Sequence, residues 1–363
     1  MNYIYNFSAG PSMLPISVMK KAHQDFRNWC NLGSSILEIS HRSKEFLELQ
    51  KNSKNDLREL LNIPNNYEIL FCHGGARGQF SAIPMNLSEK NSQVDYIYSG
   101  YWSKKAAEEA QKYCKTNIIH VLQEIDNIKY VLPYHKWNIN LNSDYIHYCP
   151  NETIEGIAIY EEPIFKNKNI IGDFSSTLLS RVIDISKYSL IYASAQKNIG
   201  ASGLTIIIVK KELLKKSKKF TPSILDYNIM YNYDSLFNTP TNFSWYLSSL
   251  IFKWLKKIGG IQKIEEINQE KSKLLYQVID SSNFYKNFVH KKNRSQMNVV
   301  FQLKNKFLDN LFVKEAQLNN LYALKNHKIA GGIRASIYNS MPLAGIKKLV
   351  KFMLYFKKKY SSL

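Results

Sequence analysis

Between residues 15 and 257 the apolar positions of the chain alternate between two spacings. Residues 18–29 and 46–61 repeat apolar side chains at helical intervals, as do segments such as 103–113. Residues 67–72, 95–98, 145–149, 170–174, 190–193 and 204–209 are short apolar runs of strand length. Strands separated by helices predict an α/β domain on a mostly parallel sheet. From Ile261 the pattern changes to a long helical stretch, an apolar run at 297–303, another helix, a run at 333–337 and a closing helix after Pro342. That order predicts a smaller α+β domain, which the N-terminal segment joins. The expected division is a large domain over 15–258 and a small one made of 1–14 plus 259–363. In parallel α/β sheets ligands gather beyond the carboxyl ends of the strands, so residues directly after apolar runs are the first candidates for chemistry.

With 363 residues, 45% hydrophobic and 13% aromatic, the chain has material for about two folded domains. No apolar run approaches the roughly 18 residues of a membrane span; the strongest, 204–209, is strand-sized. The opening MNYIYNFSAGP lacks the basic, apolar and small-residue sections of a secretory signal. Cys30, Cys72, Cys114 and Cys149 form no C-x-x-C pair and no H-E-x-x-H occurs, which disfavours a zinc site and suits reduced thiols in a cytoplasm. A net charge of +20 raises nucleic acid as a partner. The basic residues are overwhelmingly lysine, however, and the arginines are only Arg27, Arg42, Arg58, Arg77, Arg181, Arg294 and Arg334. Lysine, Asn, Ile, Tyr and Phe, all abundant here, share AT-rich codons, so coding bias accounts for the charge. The lysine clusters at 210–219 and 357–359 read as solvated helix faces without a nucleic-acid-binding signature. Neither nucleic acid nor membrane is expected as a partner.

Lys197, in ASAQKNIGASG, falls between the runs 190–193 and 204–209. A lysine held between two buried strands can be partly deprotonated by its surroundings and form a Schiff base with a cofactor aldehyde; a lysine snorkelling from a loop is the plainer alternative. Asp173, at the end of NIIGD, could pair with the protonated ring nitrogen of pyridoxal phosphate (PLP), or simply cap a turn. The stretch CHGGARGQF follows the run 67–72, and a glycine-rich turn entering a helix offers backbone N–H groups and a positive dipole end to a phosphate. It lacks the G-K-[ST] ending of a Walker loop. Trp102, in SGYWSKK, also follows a strand and could stack on a flat ring. In so arginine-poor a chain, Arg42 beside His41, Arg77 in the glycine turn and Arg334 shortly after His327 are candidates for forked recognition of carboxylate or phosphate.

These segments resemble the phosphoserine aminotransferases, class V PLP-dependent enzymes of fold type I. The resemblance runs almost end to end, through NFSAGPSMLP, EISHRSKEF, LFCHGGARGQF, GYWS, HYCPNETIEGIAI, DFSSTLLSR, AQKNIGASGLTI, PSILDY, FNTPTNF, NRSQMNV and GGIRASIYNSMPL. It implies that Lys197 carries pyridoxal 5'-phosphate and shuttles the substrate α-proton, with Asp173 on the ring nitrogen and Trp102 stacked on the ring. It further implies that Thr153 bonds the ring hydroxyl, and that Ala76, Arg77 and Gln196 hold the cofactor phosphate. Asn238 and Thr239 would reach that phosphate from the second subunit of a homodimer. Arg334 would bind the substrate α-carboxylate, and His41, Arg42, His327 and the Arg77 side chain would surround the substrate phosphate. The implied reaction is reversible amino transfer from glutamate to 3-phosphohydroxypyruvate, with the four-carbon analogue leading to 4-phosphohydroxy-L-threonine as a second substrate. Ala9, Ala76, Ala201 and Ser202 depart from the usual pattern, and none removes a group essential to transamination. A cysteine desulfurase would need a late cysteine, and none follows Cys149.

Overall fold

The computed structural model describes residues 3–214 and 218–361. Its helices are α1 (Ile16–Asp25), α2 (Lys44–Leu61), α3 (Gly75–Leu87), α4 (Tyr101–Ala110), α5 (Tyr227–Asn232), α6 (Asn242–Lys257), α7 (Gly260–Asp280), α8 (Asp309–Leu318) and α9 (Leu343–Tyr360). α2 shows how local sequence sets these bounds. The Ser43 hydroxyl accepts the Phe46 N–H at 3.2 Å to start the helix, and Asn62 ends it in the left-handed conformation, φ 49°.

A seven-stranded sheet forms the centre, in the order 67–73, 204–210, 190–194, 169–173, 145–148, 93–98, 115–120. The 204–210 strand runs antiparallel to both neighbours, and the other pairings are parallel. Its sequence, LTIIIVK, is β-branched and apolar because both sheet faces are covered. Ile206 and Ile208 join the core with α2 and α6, whereas Ile207 and Val209 join the core with α3 and α4. On the first face the Trp245 ring of α6 stacks on Phe71 at 4.2 Å.

A third core gathers Phe7, Leu275, Phe301, Phe312, Phe352 and Phe356 around a three-stranded antiparallel sheet, 285–286, 298–303 and 333–336. The N-terminal strand Tyr5–Asn6 pairs in parallel with Leu321–Tyr322 beside it. α7 serves two of the cores: Ile261 and Ile264 pack in the one with α2 and α6, Leu275 and Ile279 in the one around the three-stranded sheet.

Three local expectations change. The first helix stops at Asp25, and Trp29 enters the core from a separate 3-10 turn in which Cys30 takes φ 53°. The Lys115–His120 strand is additional to the apolar runs, its apolar positions interrupted by polar ones, as an edge strand paired on one side allows. The lysines at 210–219 do not form a helix face. Lys210 ends a strand, 211–213 make a 3-10 turn, 218–220 are irregular, and 215–217 lie outside the described residues. Lys357, Lys358 and Lys359 do sit in the last turn of α9.

Candidate active site

The carboxyl edge of the central sheet collects the chemistry. Asp173 and Ser194 end adjacent parallel strands, Gly74 follows the 67–73 strand, and Gln196 and Lys197 occupy the turn before the 204–210 strand. A cavity of about 220 Å³ there is lined by Ala76, Arg77, Trp102, Thr153, Asp173, Gln196 and Lys197. A larger surface hollow, about 470 Å³ between Leu61 and Gly260, holds Lys256 and Glu59, which are already paired with each other.

Lys197 Nζ donates to Thr153 Oγ1 at 2.7 Å and lies 6.0 Å from the Trp102 ring centroid. Its carbonyl accepts from Ser12 Oγ, and the Ser12 N–H donates to the Gln196 carbonyl at 3.0 Å, so the N-terminal segment pins this turn. Burial pulls the amine down to about 8; Asp173 opposes that shift and Arg334 adds to it. An amine in this range is neutral in about a tenth of molecules at pH 7, far more often than an ordinary lysine, as a nucleophile needs.

The Asp173 carboxylate is buried, and desolvation pushes its pKa above the ordinary value. The Ser175 hydroxyl and N–H (3.0 Å to Oδ1), the Lys197 charge and the Tyr192 hydroxyl pull it back. Behind it, Tyr192 Oη lies 2.9 Å from His147 Nε2, and burial keeps His147 neutral, its pKa lowered to about 3. A buried carboxylate in this setting is ready for a cation presented from the cavity.

The glycine turn runs into α3 with Gly74 at φ 89° and Gly75 at φ 64°, conformations that favour glycine. A Cβ on Gly75 would come 3.2 Å from Ser194 Oγ. That hydroxyl accepts the Ala76 N–H at 2.6 Å, so an anion bound at the turn shares or replaces this bond. Across the cavity Trp102 sits in the first turn of α4, with the Arg77 guanidinium 5.5 Å from its ring. Glu152 fixes that turn by accepting the Trp102 and Ser103 N–H groups, both at 2.9 Å, and Glu155 accepts the Tyr101 N–H at 2.9 Å. Because Thr153 stands between these acids, one segment positions both the Lys197 partner and the tryptophan. Burial raises the pKa of both carboxyls, that of Glu155 to about 7.

Six further candidates do not line the cavity. Arg334 lies on the 333–336 strand with a buried, unpartnered Nε, and its charge is felt at Lys197. His327 is exposed, its ring 5.5 Å from that of Tyr101. His41 is half-buried with an unpartnered Nε2, and Arg42 is exposed next to the start of α2. Asn238 and Thr239 are exposed; Asn238 Nδ2 lies 3.2 Å from His73 Nε2, just before the glycine turn. Sequence reasoning missed Ser175, Ser194, Glu152 and Glu155. The acidic pair in NETIE was the available signal, two carboxylates three apart in a lysine-rich chain. Among the described residues no cluster of three or more His, Cys, Asp or Glu side chains could hold a metal ion.

The class-V aminotransferase family profile matches residues 4–349. Phosphoserine aminotransferase of Buchnera aphidicola subsp. Schizaphis graminum is 61% identical over 360 residues, which is 99% of this chain and 100% of that protein. The enzyme of the same name from Buchnera aphidicola subsp. Acyrthosiphon pisum (strain Tuc7) is 58% identical over 361 residues, 99% of this chain and 100% of its own. Among solved structures, phosphoserine aminotransferase of Bacillus circulans subsp. alkalophilus superimposes with a TM-score of 0.94 at 35% identity, covering 99% of each chain. The PLP-bound phosphoserine aminotransferase of Trichomonas vaginalis gives 0.91 at 37% identity, covering 97% of this chain and 100% of its own.

Proposed function

The chain belongs to the class-V aminotransferase family, and we propose that its cavity carries out the reaction named by its phosphoserine aminotransferase relatives. That reaction is reversible transfer of the amino group of glutamate to 3-phosphohydroxypyruvate, giving O-phospho-L-serine and 2-oxoglutarate. We extend it to the four-carbon 3-hydroxy-2-oxo-4-phosphooxybutanoate, which yields 4-phosphohydroxy-L-threonine. The observation that carries the reading is Lys197: a desolvated amine, its pKa lowered to about 8, held by Thr153 and sharing one cavity with Asp173.

The cofactor is pyridoxal 5'-phosphate, which when bound supplies an aldehyde for amines and a ring that accepts the electron pair released at the substrate α-carbon. The residues present suit it. The buried Asp173 carboxylate lacks a salt bridge among the described residues and would hold a proton on the ring nitrogen. The Gly74–Gly75 turn leaves room that a side chain would fill, and Ala76, Arg77 and Gln196 would hold the phosphate. Thr153 would bond the ring hydroxyl, and Trp102 would cover one face and exclude water.

In this reading Lys197 Nζ would take up and hand on the α-proton of bound glutamate, with Thr153 aiming the amine. Two half-reactions share one site, so ping-pong kinetics are expected. Arg334 would hold the substrate α-carboxylate, and its unpartnered Nε is a donor available for that purpose. His41, Arg42, His327 and the Arg77 side chain would surround the substrate phosphate. Such a site discriminates against unphosphorylated serine by roughly 10⁴-fold, because its cationic groups would otherwise stay unpaired. Asn238 and Thr239 would complete the cofactor phosphate site of a partner copy, which makes the active form a homodimer. We place the enzyme in the cytoplasm, a reading supported by four unpaired cysteines. Among the described residues no helix is long and apolar enough to cross a membrane.

Absorbance spectroscopy of purified protein tests this directly. Bound PLP should give a protein-linked band that glutamate bleaches and 3-phosphohydroxypyruvate restores, and Lys197→Ala should abolish that band. Retention of the band in Lys197→Ala would remove Lys197 from its role.

A further inference from the structure

Outside the cavity, Lys271 is a buried lysine with no salt bridge among the described residues. Lys271, on α7, is 0% exposed, and its Nζ lies 3.0 Å from the Ile337 carbonyl, 2.8 Å from that of Tyr338 and 3.2 Å from that of Met341. Three carbonyls match the three donors of an ammonium; a neutral amine would turn its lone pair toward one of them. Desolvation pulls this lysine down to about 7, and the carbonyl dipoles favour the charged form.

The gripped segment, 337–341, leaves the strand that carries Arg334 and enters α9. It contacts Thr153, which lines the cavity, and Asn198, next to Lys197. Tyr338 Oη donates to the Ala9 carbonyl at 2.9 Å, accepts from Asn298 Nδ2 at 3.2 Å and faces the hydroxyl of Thr153, the partner of Lys197 Nζ. The Asn339 N–H donates to Asn198 Oδ1 at 3.0 Å, and Asn198 directly follows Lys197. Asn339 Nδ2 donates to the Leu179 carbonyl at 2.8 Å, while Asn268, one turn before Lys271 on α7, donates to Asn339 Oδ1 at 2.9 Å. The segment thus touches both neighbours of the reactive amine, Thr153 across space and Asn198 along the chain.

We propose that Lys271 is a positioning residue for the reaction: its ammonium holds segment 337–341 on α7 and thereby sets Tyr338 and Asn339 against Thr153 and Asn198, fixing the aim of Lys197. This rests on the transamination reading above. A fault in that aim is felt in turnover more than in glutamate binding, because Lys197 acts on the α-proton while Arg334 is assigned to the carboxylate.

The test compares the wild-type holoenzyme with Lys271→Met, which keeps side-chain length and removes the ammonium, and with Tyr338→Phe, which removes one hydroxyl. In Lys271→Met, amide hydrogen exchange across 337–341 should accelerate. Its kcat should fall by about tenfold or more while KM for glutamate changes by less than about threefold, and the pH midpoint of the bound-cofactor absorbance should move. Tyr338→Phe should move the same midpoint without faster exchange. Unchanged kcat and midpoint in both variants overturn the proposal, even where Lys271→Met melts at a lower temperature. If Lys271→Met does not fold, Tyr338→Phe decides alone, and an unmoved midpoint overturns it. The exchange and absorbance readings need no substrate. A wild-type enzyme that binds PLP but does not turn over 3-phosphohydroxypyruvate therefore removes the substrate reading and leaves these two readings interpretable.

Discussion

Replacing Glu155 with glutamine should flatten the stability of this protein against pH on the alkaline side. Burial, followed by the nearby Glu152 carboxylate, raises the Glu155 pKa from 4.5 to about 7. The native state therefore binds this proton more tightly than the unfolded chain does. The associated stability is fully present below about pH 4.5 and is lost as pH rises through about 7. At about 1.4 kcal/mol per pH unit the upper bound is about 3 kcal/mol, and sharing of charge with Glu152 reduces it to roughly 1–3 kcal/mol. Glu155→Gln keeps an oxygen for the Tyr101 N–H and removes the titrating group, whose Oε2 is buried without a partner. Any constant cost of seating the amide cancels when one variant is compared with itself at two pH values. Thermal unfolding of apo-protein from pH 5 to pH 8 is the assay. For a chain of this size 2 kcal/mol corresponds to about 3 °C, so the wild type should lose roughly 1–4 °C relative to Glu155→Gln over that interval. Parallel melting curves for the two proteins across the whole range would refute the placement of a charged Glu155 against the start of α4.

The same turn is sensitive to volume: a Cβ on Gly100 would lie 2.6 Å from Glu152 Cγ. Gly100→Ala should cost roughly 1–3 kcal/mol by displacing that carboxylate, measured by denaturant unfolding, and should weaken PLP binding through Trp102. Capture of PLP by apo-protein should speed up as pH rises through about 8, where Lys197 loses its proton; stopped-flow absorbance would show this, and a flat profile from pH 6 to pH 9 would contradict it. Arg42→Ala should reduce kcat/KM for 3-phosphohydroxypyruvate by about tenfold or more with little change for glutamate, and equal losses for both would take Arg42 out of the phosphate site.

Some of this site is legible in the sequence because the fold places chemistry at predictable points. Asp173, the glycine turn and Lys197 each directly follow an apolar run or lie between two, and the ends of such runs are where a parallel sheet opens to ligands. Those positions can be read without tertiary knowledge because the strand and the functional residue are contiguous in the chain. The Lys115–His120 strand is harder, since it is paired on one side and its polar positions blur the signal.

The supporting groups are illegible for a different reason: their partners are distant in sequence. Glu152 takes the N–H groups of residues 102 and 103, Ser194 takes that of residue 76, and Lys271 takes the carbonyls of a segment more than sixty residues away. None has a local pattern of its own. Ser194 resembles any serine at a strand end, and Lys271 is one of many lysines in a chain with 49 basic residues, where position on a helix does not distinguish buried from solvated. The feature that separates it is physical: a buried amine with three backbone carbonyls around it. The arginine argument rests on composition instead. Lysine is abundant enough here to serve any site that needs only a positive charge, so an arginine that remains marks a site needing a planar fork. That logic selects Arg334, whose Nε is buried and unpartnered, and it equally selects Arg58, which spends its fork on the carbonyls of Ile63, Pro64 and Tyr67. Composition can therefore nominate a guanidinium, but whether its nitrogens are already spent on backbone oxygens, as in Arg58, is what divides a structural fork from one still available to a ligand.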